Sequence, residues 1–449
     1  MIGASSSKAT EQTVSVLART EAALARISAE NDRDHIFISV CGETALEEAR
    51  AADARALEGK SFGPLDGKLV AVKDNLAVKG LPHSAGTKAL SGVIAGADAL
   101  SVAALRVGGA VVLGTLNMHE GALGATNDNP FYGKCANPLA EGFTPGGSSG
   151  GSGAAVAAGL VDLALGTDTM GSVRIPSAYC GTFGLKPTDG LVPRDGLAFL
   201  CTHLDCIGPL SDDPALLLPA LQLMATGTAE ANDPLRLLPP DGCADEGVCL
   251  DGLRILCPTE INETDSEPEV LAAMERAAAY LKACGAEVAR APLGDWTPSH
   301  TRRGGLLLIE ADGARIFADE LANPESALSE DFKALLSYGA SASAPRLAEA
   351  MLRIQAAGAM VHRALAAYDM ILLPTAPQRA FRFGEPVPAN QADFTSLANF
   401  AACPAVACPV AASDEGLPAS VQLIGRPWSD TTLCRVAETL SPLAENVAS

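Results

Sequence analysis

The chain has 449 residues, 48% of them hydrophobic and 19% charged, which is enough apolar material to bury a large core. A formal net charge of −21 opposes attachment to phosphate backbones or anionic lipid, because both call for clustered Lys and Arg. Nucleic acid is therefore not expected as a direct partner, and the apolar stretch 153–166, interrupted by Asp162, is too short to span a bilayer.

Residues 1–7 lack the basic and apolar segments of a secretory signal, so a cytoplasmic address is the expectation. Residues 13–57 show helical periodicity, with Val14, Leu17, Ala18, Leu24 and Ile27 on one face. From 69 to 213 glycine and β-branched residues become frequent. Leu69-Val70-Ala71-Val72 and Ala110-Val111-Val112-Leu113-Gly114 read as short buried strands, with helical segments between them. This alternation predicts an α/β fold with a single large mixed, mostly parallel central sheet covered by helices on both faces. The stretch 214–367 is richer in Pro, Asp and Glu; it holds a strand at 253–256 and long helices near 270–284 and 344–367. The last part opens on the strand Met370-Ile371-Leu372-Leu373 and closes in a helix near 431–440.

Twelve cysteines raise the question of disulfides or metal. Their closest spacings are Cys201/Cys206, Cys243/Cys249 and Cys403/Cys408; none is a C-x-x-C pair, and buried free thiols are the reading. The six histidines are scattered, and Leu123 stands where H-E-x-x-H would need a second His after His119-Glu120. Neither a metal nor a cofactor is expected.

The most informative run is Gly142-Phe143-Thr144-Pro145-Gly146-Gly147-Ser148-Ser149-Gly150-Gly151-Ser152-Gly153, followed by Gly166-Thr167-Asp168-Thr169-Met170-Gly171-Ser172-Val173-Arg174-Ile175-Pro176. Two serines in glycine-rich backbone, each beside an apolar stretch, suggest hydrolysis. The run Gly146-x-Ser148-x-Gly150 satisfies a nucleophile-elbow pattern, but an elbow follows a strand and this one follows Thr144-Pro145. A flexible linker does not feed straight into an apolar helix, and a phosphate loop would need Gly-Lys-Ser/Thr. Taken singly, Lys73 reads as a solvated strand-end lysine and Ser172 as a loop or cap serine.

Together with Cys180-Gly181-x-x-Gly184-Leu185-Lys186-Pro187-Thr188, these runs closely resemble the amidase signature family. The resemblance extends to Gly63-Pro64-Leu65-Asp66-Gly67 through Val72-Lys73-Asp74-Asn75 and to the run from Gly416 to Arg426, and it is weakest over 216–365. It implies a single domain over 1–449: a helical layer at 1–60, the signature core at 61–215, a variable substrate-side region at 216–367, and the rest of the core at 368–449. By this resemblance Ser172 is the nucleophile, Ser148 a bridging serine on a cis peptide, and Lys73 the general base. The base must be neutral, since an ammonium has no lone pair, and burial would supply that state. The resemblance further assigns the backbone N–H groups of Thr169, Met170, Gly171 and Ser172 to an oxyanion hole, with Met170 where glycine is commonest. Ser149, Asp168 and Arg174 are expected as supports, and Met118, Leu123 and Phe131 as pocket lining.

The leading functional expectation is a free-standing hydrolase, monomer or homodimer, that cleaves small non-peptide amides, anilides or related carbamates through a Ser172 acyl-enzyme. A different class is the glutaminase (A-type) subunit of a tRNA-dependent amidotransferase, which would need a partner. Biuret- or allophanate-type hydrolysis is a further alternative.

Overall fold

The structure is a computed structural model that describes residues 15–226, 250–412 and 417–444. It opens with helix α1 (Val16–Asp34), which buries Thr20, Ala23 and Ile27; the Ser15 hydroxyl accepts the Ala18 N–H at 3.0 Å as its N-cap. Strand β1 (Phe37–Val40) leads to α2 (Gly42–Leu57), buried through Ala45, Ala49 and Ala52. Then come β2 (Leu69–Lys73), α3 (Leu100–Val107), β3 (Val111–Leu116) and a two-stranded ribbon of β4 (Asp128–Asn129) and β5 (Gly133–Lys134). Helix α4 (Gly150–Ala157), β6 (Leu163–Asp168), α5 (Arg174–Cys180), β7 (Phe183–Lys186), β8 (Cys206–Ser211) and α6 (Leu217–Thr226) follow.

The second half contributes β9 (Arg254–Pro258), α7 (Pro268–Ala283), β10 (Glu287–Ala291), α8 (Pro298–Ile316), α9 (Ala318–Ala322), α10 (Glu330–Ala340) and α11 (Ala344–Ala367). The chain then returns through β11 (Met370–Pro374), α12 (Ser396–Phe400), β12 (Ala405–Ala412), β13 (Pro418–Gly425) and α13 (Asp430–Leu440).

Eleven strands form one continuous sheet in the order β1-β3-β2-β6-β8-β7-β12-β13-β11-β9-β10, drawing on all four stretches of the sequence. The sheet is mixed. Its parallel ladders form two blocks, β3-β2-β6 and β11-β9-β10, while the ladders through the middle are antiparallel. The strand–helix alternation of the first half therefore describes the β2 block, and non-local pairing builds the centre.

Both faces are covered. In β2, Val70 and Val72 belong to one hydrophobic core, and Leu69 and Ala71 to another; β6 divides the same way, Leu163 and Leu165 against Ala164. This is the period-2 alternation of a strand buried on both sides, and it explains why β2 reads as a continuous apolar run. Helices α1, α2 and α4 supply the second core through Ala23, Ile27, Ala45, Ala49 and Ala154, while α3 and α6 supply the first through Val102, Leu105 and Leu217.

The described cysteines are all free, and most are buried; Cys243 and Cys249 lie outside the described residues, as does Val14. Among the described residues no group of three His, Cys, Asp or Glu side chains could hold a metal ion, and no helix is long and apolar enough to cross a membrane.

Edge strand β1 depends on one glycine. Gly114 faces Val40 across the ladder, and a Cβ there would overlap the Ser39 carbonyl oxygen. Gly114→Ala is expected to destabilise the fold by about 1–3 kcal/mol. The check is a lower urea midpoint with an unchanged slope.

Candidate active site

Parallel pairing of β2 with β6 places Val72 opposite Leu165, so the carboxyl ends of the two strands emerge side by side. In open α/β sheets this is where a crevice forms. Lys73, the last residue of β2, is wholly buried there. Its Nζ lies 2.7 Å from Ser148 Oγ and 2.8 Å from Thr167 Oγ1, and Thr167 Oγ1 also receives Asn75 Nδ2 at 3.1 Å. Burial pushes the Lys73 amine down to about 7, against the opposing pull of the Asp205 and Asp168 carboxyls.

Ser148 follows a cis peptide bond from Gly147, and its carbonyl accepts the His119 N–H at 3.0 Å. Ser149 cross-links this loop to β6: its hydroxyl donates to the Thr167 carbonyl at 3.1 Å and accepts the Thr167 N–H at 3.2 Å. The Ser149 N–H reaches the Ser172 carbonyl at 3.3 Å, which ties the two serine loops together. Ser172 is half-buried and lines a cavity.

The loop carrying Ser172 is built around Asp168, which ends β6. One carboxylate oxygen accepts the Gly171 N–H at 2.7 Å and the other the Val173 N–H at 3.1 Å. Arg174 donates to both oxygens at 2.9 and 3.0 Å, and also to Gln422, Asn399 and the Thr395 carbonyl. Burial alone would raise the Asp168 carboxyl; the Arg174 charge and hydrogen bonds, helped by Lys186 and Asn399, hold it at about 2. Both side chains have no exposed surface, so Arg174 is held by protein groups and not by the cavity.

This geometry corrects the expected oxyanion hole at one position. The Gly171 N–H is engaged by Asp168, whereas those of Thr169, Met170 and Ser172 donate to no protein group among the described residues. The loop is braced further by Thr395, whose hydroxyl donates to the Met170 carbonyl at 2.7 Å, and by Asp205, which accepts the Thr169 hydroxyl at 2.6 Å.

The cavity beside Ser172 has a volume of about 240 Å³. Gly147, Thr169, Met170 and Ser172 form one side, with Leu123, Ile175 and Leu200 adjoining. Helix α8 lines the cavity through Arg302, Leu306, Ile309 and Glu310, and α10 through Leu335. Of the three residues expected to line the pocket, Leu123 lies on this cavity, and Met118 and Phe131 do not. Met118 is fully buried, with its side chain packed toward Gly86, and Phe131 is 37% exposed on the ribbon turn. Sequence reasoning missed Thr167, Asp205 and Thr395, and also the α8 residues, which lie where the family resemblance is weakest.

Removing the guanidinium would leave the Asp168 carboxylate buried and unpaired. Arg174→Met is expected to cost about 3–5 kcal/mol, read as a lowered denaturation midpoint, and to abolish activity with it.

Comparisons with known proteins agree with this architecture. The family model for Amidase matches residues 18–434. The A-type subunit of glutamyl-tRNA(Gln) amidotransferase from Anaeromyxobacter dehalogenans (strain 2CP-C) is 36% identical, over 94% of this chain and 91% of that protein. Among solved structures, a protein of a vestigial complex tied to the evolutionary origins of an s-triazine catabolic enzyme is similar at TM-score 0.87 and 31% identity, covering 96% of this chain and 95% of that one. Native peptide amidase from Stenotrophomonas maltophilia is similar at TM-score 0.81 and 29% identity, covering 96% and 94%. With the family model spanning nearly its whole length, this chain belongs to the amidase signature family and is an enzyme of the kind that acts on amide C–N bonds.

Proposed function

We propose that the chain hydrolyses a small amide through a Ser172 acyl-enzyme, with Ser148 passing the proton to Lys73. The observation that carries this reading is the 2.7 Å contact between a wholly buried Lys73 Nζ and Ser148 Oγ, at the edge of the cavity that Ser172 lines. With burial holding Lys73 near 7, a large neutral fraction exists at ordinary pH. The neutral amine takes the Ser148 proton as Ser148 takes that of Ser172, and Ser172 attacks the carbonyl. The N–H groups of Thr169, Met170 and Ser172 receive the oxyanion. Running the relay backwards protonates the leaving nitrogen, and a water molecule then repeats the attack on the acyl-enzyme. Base, nucleophile and oxyanion donors are all supplied by the chain, so the proposal includes no cofactor, and it places the enzyme in the cytoplasm.

Two substrate readings follow. The amidotransferase relatives favour a glutaminase subunit that releases ammonia from glutamine for a partner. Arg302, which lines the cavity while paired with Asp393 at 2.6 Å, adds to it by placing a guanidinium where a substrate carboxylate could be met. The otherwise apolar lining, with Leu123, Met170, Ile175, Leu306 and Ile309, favours the second reading: a self-sufficient hydrolase, monomer or homodimer, for apolar amides, anilides or carbamates. Biuret- and allophanate-type amides, being small and non-peptide, belong within this second reading.

The deciding experiment measures ammonia or amine release by the purified chain from glutamine, an aliphatic amide, an anilide, an aryl carbamate and biuret. Turnover that disappears in Ser172→Ala is the expected result; turnover surviving that change would sink the nucleophile assignment. Glutamine cleavage that appears only with a partner would select the glutaminase reading.

Lys73→Ala should lower kcat/KM by roughly 10²–10⁴-fold. The pH profile follows from the same group. Lys73 is protonated, and so unable to accept a proton, below about 7; activity therefore climbs as pH rises to that value and levels off above it. A profile that falls through pH 7 would contradict a neutral-lysine base.

A further inference from the structure

Helix α8 stands between two cavities. One holds Ser172; the other, about 290 Å³, lies between α8, α10 and α11, and Glu310 lines both. Glu310 is 7% exposed, and among the described residues its carboxyl accepts no hydrogen bond and enters no ion pair. Its neighbours along the Ser172 side are apolar: Leu306, Ile309 and Leu335.

Arg303, Arg346 and Arg353 line the second cavity with Glu310, yet among the described residues none forms an ion pair with its carboxyl. Arg302, two turns earlier on the same face, is paired with Asp393. In the second cavity Arg346 lies over the Tyr338 ring and donates to its hydroxyl, and Arg353 is paired with Glu349. Arg303 is exposed. On the Ser172 side this carboxyl has no charged partner, and an unpaired carboxyl on a pocket wall is a candidate ligand contact.

We propose that Glu310 is a specificity-determining residue, whose carboxylate receives an ammonium group carried on the acyl part of the amide substrate. This rests on the Ser172 chemistry proposed above, because Glu310 lines the same cavity as that serine. Burial lifts the Glu310 carboxyl to about 7, with Arg346 opposing the shift, so at the alkaline pH that frees the Lys73 amine this wall presents a negative charge. An anionic acyl group would be repelled there. A neutral one gains nothing from the charge, whereas an ammonium is attracted to it, with Arg346 on the far side of the carboxyl weakening that pull.

The test compares δ-aminovaleramide with hexanamide, which match in length and differ in ammonium against methyl. Binding to Ser172→Ala protein is measured by calorimetry at mildly alkaline pH, so that turnover does not intrude. The ammonium amide is expected to bind about 10- to 100-fold more tightly, the usual range for a hydrogen bond to a charged group. In Ser172→Ala/Glu310→Gln that advantage should shrink to about threefold or less, and Glu310→Leu in the same background should reverse it.

Equal affinities, failure of both amides to bind, or a preference that survives Glu310→Gln would overturn the assignment. Wild-type hydrolysis of the same pair separates the two levels of the argument. Hydrolysis lost in Ser172→Ala, with an amide preference indifferent to Glu310→Gln, removes Glu310 and leaves the serine. Hydrolysis that persists in Ser172→Ala removes the serine reading and this substrate role with it.

Discussion

The site depends on keeping an amine uncharged at the end of a central strand. Lys73 has no exposed surface, its Nζ is held between two hydroxyls, those of Ser148 and Thr167, and among the described residues no carboxylate lies within hydrogen-bonding distance. A carboxylate at that distance would restore the ammonium and remove the lone pair on which the relay depends. Two carboxyls are near enough to pull in that direction, Asp168 and Asp205, and each is occupied. Asp168 is neutralised by Arg174 and saturated by the loop N–H groups. Asp205 accepts the Thr169 hydroxyl and the N–H groups of Leu200 and Cys201 at 2.6, 2.8 and 3.0 Å. The bonds that shape the oxyanion loop thus also limit how strongly these acids act on Lys73.

The sheet makes this arrangement possible by geometry alone. Because β2 and β6 run parallel and adjacent, their ends meet at one edge, and residues 94 positions apart come within 2.8 Å. Neither Lys73 nor Thr167 could reach the other if the strands ran antiparallel, since the end of one would face the beginning of the other. Burial on both faces then excludes water from the strand end, and it is this exclusion that lowers the amine.

Where the signal is local, the sequence reads correctly. The helix at 344–367 is visible because a long amphipathic pattern starts with Pro345 in its first turn and ends before a β-rich run. The β2 and β3 strands show as apolar runs of strand length. The glycine-rich run and the Ser172 loop are legible as motifs, and the Lys73–Ser148 pairing follows from their joint resemblance. What fails is direction and register. Residues Phe183–Lys186 read as part of a motif, although they form β7, whose antiparallel partners begin at Cys206 and Ala405. Met118 lies beside the site in sequence terms, yet its side chain turns toward Gly86, which no periodicity reveals. The N–H of Gly171 could be withdrawn from the oxyanion set only by seeing Asp168 fold back on it. On α8, Arg302, Leu306 and Glu310 recur every four residues and so share a face. Only the fold, by placing Ser172 on the same cavity, makes that face a candidate substrate wall.

Met170 shows that the reactive loop and this wall are one packed unit. A side chain at that position needs volume outside the loop, and it finds it at Gly305 of α8, where a Cβ would overlap both the Met170 sulfur and the Phe400 ring. Glycine in the middle of a 19-residue helix is unfavourable by about 1 kcal/mol relative to alanine, so its presence there calls for a packing reason. The thioether supplies one. The helix that carries Arg302 and Glu310 is thereby seated directly on the loop that carries the proposed oxyanion donors. A shift of α8 to admit a bulkier acyl group would move Met170, and with it the N–H groups on either side. On the proposed mechanism, the cavity wall in the variable region and the oxyanion loop in the signature core are mechanically coupled, so a substitution at position 305 or 170 bears on both.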